Sequence, residues 1–105
     1  MIVEMRTYKI KRGMRDKFIE LMDAKLIPEH KKIGIKVVGP FASAEDEVTL
    51  FWMRGFPDEA AHKSMTGKFY GGELWRRELS DVIMPILEKY DVVTVDIPEG
   101  TVQWQ

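Results

Sequence analysis

Residues 2–10 alternate in character: Val3, Met5, Thr7 and Lys9 fall on one side of an extended chain, and Ile2, Glu4, Arg6, Tyr8 and Ile10 on the other. This predicts a first strand. After the turn residues Lys11-Arg12-Gly13, the apolar positions Met14, Phe18, Leu21, Met22 and Leu26 recur at steps of three and four, the stripe of an amphipathic helix that needs a sheet to lie on. Pro28 has no backbone N–H and disfavours helical angles at Ile27, so the helix is expected to bend there and to stop at Gly34. The β-branched run 35–41, closed by Gly39-Pro40, predicts a second strand. A polar connection over 42–47 leads to a third strand over 48–54, paired antiparallel with the second. Pro57-Asp58-Glu59 opens a second helix over about residues 57–66, with Gly67 as its expected stop. Trp75, Leu79, Val82, Ile83, Ile86 and Leu87 keep helical spacing around Pro85 and predict one or two further helical pieces. Val92, Val93 and Val95 mark a fourth strand over 90–97, and an irregular tail follows Pro98.

The order strand, helix, strand, strand, helix, strand predicts an α+β fold of the ferredoxin-like βαββαβ kind, a four-stranded antiparallel sheet with its helices on one face. That leaves a burial problem. Leu50 and Trp52 alternate with Phe51 and Met53, so the third strand carries large apolar groups on both faces while helices cover only one. A second copy stacked on the open face would cover it, giving a homodimeric α+β barrel. Residues 1–98 are expected to form this domain. Residues 99–105 are expected to be a tail whose Trp104 lies against a neighbouring protomer.

Composition removes several classes of function. Sixteen basic against 17 acidic residues give a net charge of −1, without the positive field that nucleic-acid binding needs. The absence of cysteine excludes disulfides, thiolate catalysis and cysteine-bearing metal sites. No apolar run has the length of a membrane span, and Met1 leads straight into alternating residues, so a cytoplasmic protein with no membrane partner is expected. His30 and His62 stand far apart without partners at metal-ligand spacing, so no metal is expected. Gly67-Lys68 precedes Phe69 where a phosphate loop needs Ser or Thr, and no Gly-x-Gly-x-x-Gly follows the first strand. No cofactor is expected.

The pattern with most chemical content is Glu4, Arg6 and Tyr8 on one face of the first strand, opposite Trp52 and Arg54 on one face of the third. A buried guanidinium there needs a carboxylate or an acceptor-bearing ligand. Arg6 could pair with Glu4, or with a glutamate across the dimer, to fix register, or orient an acidic or carbonyl-bearing ligand against Tyr8 and Trp52. His30 could be a surface residue in the last turn of its helix, where a positive charge suits the dipole, or a proton acceptor at a pocket mouth. Trp75 and the pair Phe69-Tyr70 could close the same space from the helical side. The candidate ligand-binding residues are therefore Arg6, Tyr8, His30, Trp52, Tyr70 and Trp75, and no catalytic base is identified.

Three segments resemble the NIPSNAP family of the dimeric α+β barrel superfamily. They are Met5-Arg6-Thr7-Tyr8 followed by Lys11-Arg12-Gly13, the stretch from His30 to Gly39, and Leu50-Phe51-Trp52-Met53-Arg54. The resemblance spans most of residues 2–97. It implies the ferredoxin-like fold, homodimerisation through the sheet, and architectural kinship with cofactor-free antibiotic-biosynthesis monooxygenases, but no settled reaction. Three functions stay open: binding of a small apolar or acidic ligand between sheet and helices, cofactor-independent oxygenation or isomerisation, and a non-enzymatic interaction module.

Overall fold

The computed structural model describes residues 1–105. In chain order the elements are β1 (Ile2–Ile10), α1 (Arg15–Leu21), a π-helical turn (Met22–Leu26), α2 (Ile27–Ile33), β2 (Lys36–Ala42) and β3 (Thr49–Phe56). They are followed by α3 (Glu59–Tyr70), a second π-helical turn (Leu74–Leu79), α4 (Ser80–Ile83) and β4 (Leu87–Asp96). The four strands form one antiparallel sheet in the order β2-β3-β1-β4, the ferredoxin-like arrangement expected from the pattern.

The bend expected at Pro28 takes the form of a π-helical turn just before it. The Ile27 N–H reaches back five residues to the Met22 carbonyl, so the spiral widens where the proline would interrupt it. Pro28 itself then sits in the first turn of α2. The helix ends where expected, at Gly34, whose φ of 104° lets its own N–H and that of Ile35 turn back to the His30 carbonyl. Gly67 does not end the second helix. Capped by the Asp58 carboxylate on the Ala61 N–H at 2.8 Å, α3 runs through Gly67 to Tyr70, because burying Phe69 outweighs the ~1 kcal/mol cost of a helical glycine.

Register decides which side chains meet. Glu4 opposes Arg54, Arg6 opposes Trp52 and Tyr8 opposes Leu50 across β1 and β3, while Val92 and Tyr90 of β4 oppose Arg6 and Tyr8. The alternation then puts Glu4, Arg6, Tyr8, Ile10, Leu50, Trp52, Arg54 and Phe56 under the helices. On that face Phe18, Met22, Leu26, Phe69, Leu79 and Ile83 pack down to make the core. Met5, Phe51, Met53 and Val93 occupy the opposite, helix-free face. β4 lies beyond the helical cover and is exposed almost throughout.

The tail lies on its own sheet. The Gln105 N–H donates to the Val37 carbonyl at 3.1 Å, and its side-chain oxygen accepts from the Gly39 N–H at 3.1 Å, so the last residue closes part of the free edge of β2. Trp104 rests on Gly55, where a Cβ would stand only 2.6 Å from the indole ring, so glycine there is what admits the tryptophan. Removing residues 99–105 is expected to lower the unfolding free energy by about 1–2 kcal/mol through lost apolar burial, read as a shift in the urea midpoint. No helix is long and apolar enough to cross a membrane.

Candidate functional site

A cavity of about 180 Å³ lies between the sheet and the helices. β1 supplies Arg6 and Tyr8 to its floor and β3 supplies Trp52. α2 contributes His30, the last turn of α3 contributes Tyr70, and the second π-helical turn contributes Trp75. All six side chains singled out from the sequence thus line one space. Most of the remaining lining is apolar, and the exposed side chains of Met84 and Tyr90 rim the mouth. The aromatic walls pack edge to face, with Tyr70 and Trp75 at 5.1 Å and Tyr8 and Trp52 at 6.2 Å between ring centroids.

Behind the cavity floor lies a buried network centred on Glu4. Arg6 Nη1 donates to its Oε1, and Arg54 Nε donates to the same oxygen at 3.0 Å. His62 Nε2 donates to Oε2 at 2.6 Å. Burial alone would raise the Glu4 carboxyl, but Arg54, the His62 hydrogen bond and Arg6 overcome it and hold the group down at about 2. Arg54 is pressed among Tyr70, Trp52 and Phe56, with its guanidinium carbon 5.3–5.8 Å from their ring centroids. One carboxylate against two guanidiniums leaves the network with an excess positive charge.

His30 is fully buried, which overturns the expectation of a surface residue in the last helical turn. Its tautomer follows from its partners. The Leu26 carbonyl, 2.8 Å from Nδ1, can only accept, so Nδ1 carries the proton; Nε2 therefore holds the lone pair and accepts from Arg54 Nη1 at 3.0 Å. Burial, then the charges of Arg54 and Arg6, push the imidazole down to about 3, so it is neutral at any ordinary pH. With its lone pair occupied, His30 offers the cavity a ring surface and no base.

Arg6 takes the structural role that the sequence left open, and it also reaches the cavity. Besides holding Glu4, its Nε donates to Tyr8 Oη at 2.9 Å while the side chain borders the cavity. Burial raises the Tyr8 phenol above its usual range, Arg6 opposing, so Tyr8 is a neutral hydroxyl whose own proton remains to be donated. The Trp52 indole N–H is buried on the Tyr8 side, without a hydrogen bond of ordinary geometry.

His62 belongs to this buried network, although the sequence did not single it out. It looked partnerless because its partner lies 58 positions away on another element. The one available signal was its place a single turn inside a helix that follows directly on the strand carrying Arg54.

The profile of the NIPSNAP family matches residues 3–91. The chain belongs to the NIPSNAP family. Comparison with curated proteins gives no match. Among solved structures, an uncharacterized NIPSNAP domain protein from Burkholderia xenovorans superposes with a TM-score of 0.81 at 18% identity, over 98% of this chain and 99% of that one. A NIPSNAP family protein from Agrobacterium tumefaciens gives 0.75 at 19% identity, over 94% of each chain. A monooxygenase of Streptomyces coelicolor, solved with nanaomycin D, gives 0.65 at 18% identity, over 97% of this chain and 90% of that one. At these identities the likeness establishes the shared fold and no activity. In this NIPSNAP protein the chemistry must therefore be read from the cavity itself.

Proposed function

We propose that this NIPSNAP protein binds a small, largely apolar molecule in the cavity between its sheet and helices. The observation that supports this reading is the cavity itself. Protein interiors are packed to near-crystalline density, and an apolar space of about 150 Å³ already admits benzene, so an opening of about 180 Å³ ringed by aromatic side chains has the dimensions of a one-ring ligand site. The Streptomyces monooxygenase, solved with a small molecule bound, lends the reading support by analogy of fold. Cofactor-independent oxygenation or isomerisation is the second reading, favoured by that same likeness. It would require a substrate acidic enough to arrive deprotonated, since the lone pair of His30 is engaged by Arg54.

The test is a titration of the full-length protein with toluene, followed by the indole N–H signals of Trp52 and Trp75 and by thermal unfolding. Binding is expected to move both signals and raise the midpoint. Silence to toluene and to its carboxylate counterpart benzoate alike would favour the interaction-module reading and sink this one.

We further propose that two copies stack through the helix-free sheet face. The support is the set of apolar groups left there, with Val93 58% exposed and Phe41 46% exposed. The wild-type chain is expected to sediment as a dimer at micromolar concentration and Val93→Lys as a monomer. A folded wild-type monomer would overturn the barrel.

A further inference from the structure

Resting on the ligand-binding reading, we infer that the molecule this cavity takes is a monoanion of one-ring size, with its oxyanion seated on Arg6 and the Tyr8 hydroxyl and its ring against Trp52. Three observations converge on this.

The first is the polarity of the cavity floor, where donors face the space and no carboxylate does. The Tyr8 oxygen already accepts from Arg6, and the His30 lone pair accepts from Arg54. Arg6 spends Nε on Tyr8 and Nη1 on Glu4, which leaves Nη2 without a protein partner. A ligand bearing its own donors, such as an amine or a polyol, would find only the neutral hydroxyl oxygens of Tyr70 and Tyr90 to receive them. A carboxylate or enolate oxygen would find the free Arg6 Nη2 and the Tyr8 hydroxyl.

The second is the placing of the Tyr8 hydroxyl. Its oxygen faces the Arg6 Nε–H and lies on the side of the fully buried Trp52 indole N–H, so its own proton is the one left to reach an acceptor in the cavity.

The third is charge. Glu4 faces Arg6 and Arg54 together, and whatever the state of His62, the network keeps at least one uncompensated positive charge against a largely apolar cavity. Arg6 and Arg54 are both buried, so the charge is weakly screened and an anion held at Arg6 would neutralise it at short range. The volume fixes the size, about one aromatic ring with a single acidic substituent.

Benzoate is the probe, with benzamide as its neutral isostere and toluene as the apolar control, all at pH 7. The full-length protein is titrated while the Trp52 indole N–H signal is followed, assigned with Trp52→Phe. The expected result is a movement of that signal, because the Trp52 ring lines the cavity, and binding at least tenfold tighter for benzoate than for benzamide. Arg6→Met should erase the preference while toluene still binds. Tyr8→Phe, which keeps the ring, should weaken benzoate and leave toluene unchanged, so the seat remains testable if Arg6→Met folds poorly. Equal affinity for benzoate and benzamide, or a preference that survives both substitutions, would overturn the anion site while leaving the cavity a ligand site. Silence from all three probes would overturn the ligand-binding reading itself.

Discussion

Glu4→Gln is expected to lower the unfolding free energy by about 3–5 kcal/mol, the usual result of breaking a buried ion pair from one side. Glu4 is the single anion that holds Arg6, Arg54 and His62 together, and neutralising it leaves two desolvated guanidiniums facing each other. Glutamine keeps the shape and one acceptor oxygen, so the loss reports charge and not a cavity. Arg6→Met should cost far less, because the carboxylate would retain Arg54 at 3.0 Å and His62 at 2.6 Å. The double variant should therefore be more stable than the two single losses added together, since removing Arg6 relieves the repulsion that the missing carboxylate creates. In a domain of 105 residues the single Glu4 change should lower the thermal midpoint by more than about 10 °C. A loss under about 1 kcal/mol, with strictly additive singles, would mean that water reaches the network and screens it.

How much of this site could be read in advance follows from two kinds of pattern. Strand alternation is local and strict. Once residues 2–10 form a strand, Glu4, Arg6 and Tyr8 must share a face, and with β1 beside β3 the register brings Trp52 and Arg54 against them. This is why the cavity floor was legible. The helical side was only partly so, because a helix rotates about 100° per residue and small irregularities decide what it buries. Phe18, Met22, Leu26 and His30 recur at steps of four. In an uninterrupted α-helix each such step overshoots a full turn by about 40°, so His30 would drift some 120° from Phe18 and come out toward solvent. The π-helical turn between Met22 and Leu26 winds more loosely and takes up that drift, keeping His30 in line with the buried stripe. The constant spacing of four, followed by Pro28, was the available signal, and the flanking Lys31 and Lys32 masked it. α3 was harder still. Its stop at Tyr70 and the inward turn of His62 depend on Phe69 reaching the core and Glu4 lying beneath, neither of which a helix with so few apolar residues announces.

Acid should weaken the fold well before its carboxylates titrate. His30 is held neutral down to about pH 3, against an ordinary value of 6.5 in the unfolded chain. Between those values the unfolded state binds a proton that the folded state refuses, so stability falls as pH falls, with a slope of up to about 1.4 kcal/mol per pH unit. Glu4, held at about 2 against an ordinary 4.5, acts with the same sign over a lower range, since its stabilisation is complete above 4.5 and disappears as pH drops toward 2. The two contributions separate in pH. From about 6.5 to 4.5 the loss belongs mainly to His30 and should reach about 2–3 kcal/mol; below 4.5 the slope should steepen as Glu4 joins it. Urea midpoints measured from pH 7.5 to 4 would trace both stages. His30→Gln, which can still offer Arg54 an acceptor but has no proton to gain, should flatten the first stage and leave the second. A wild-type profile already flat between pH 7 and 5 would mean that His30 takes up its proton in the folded state, and the tautomer assigned from Leu26 and Arg54 would have to be abandoned with it.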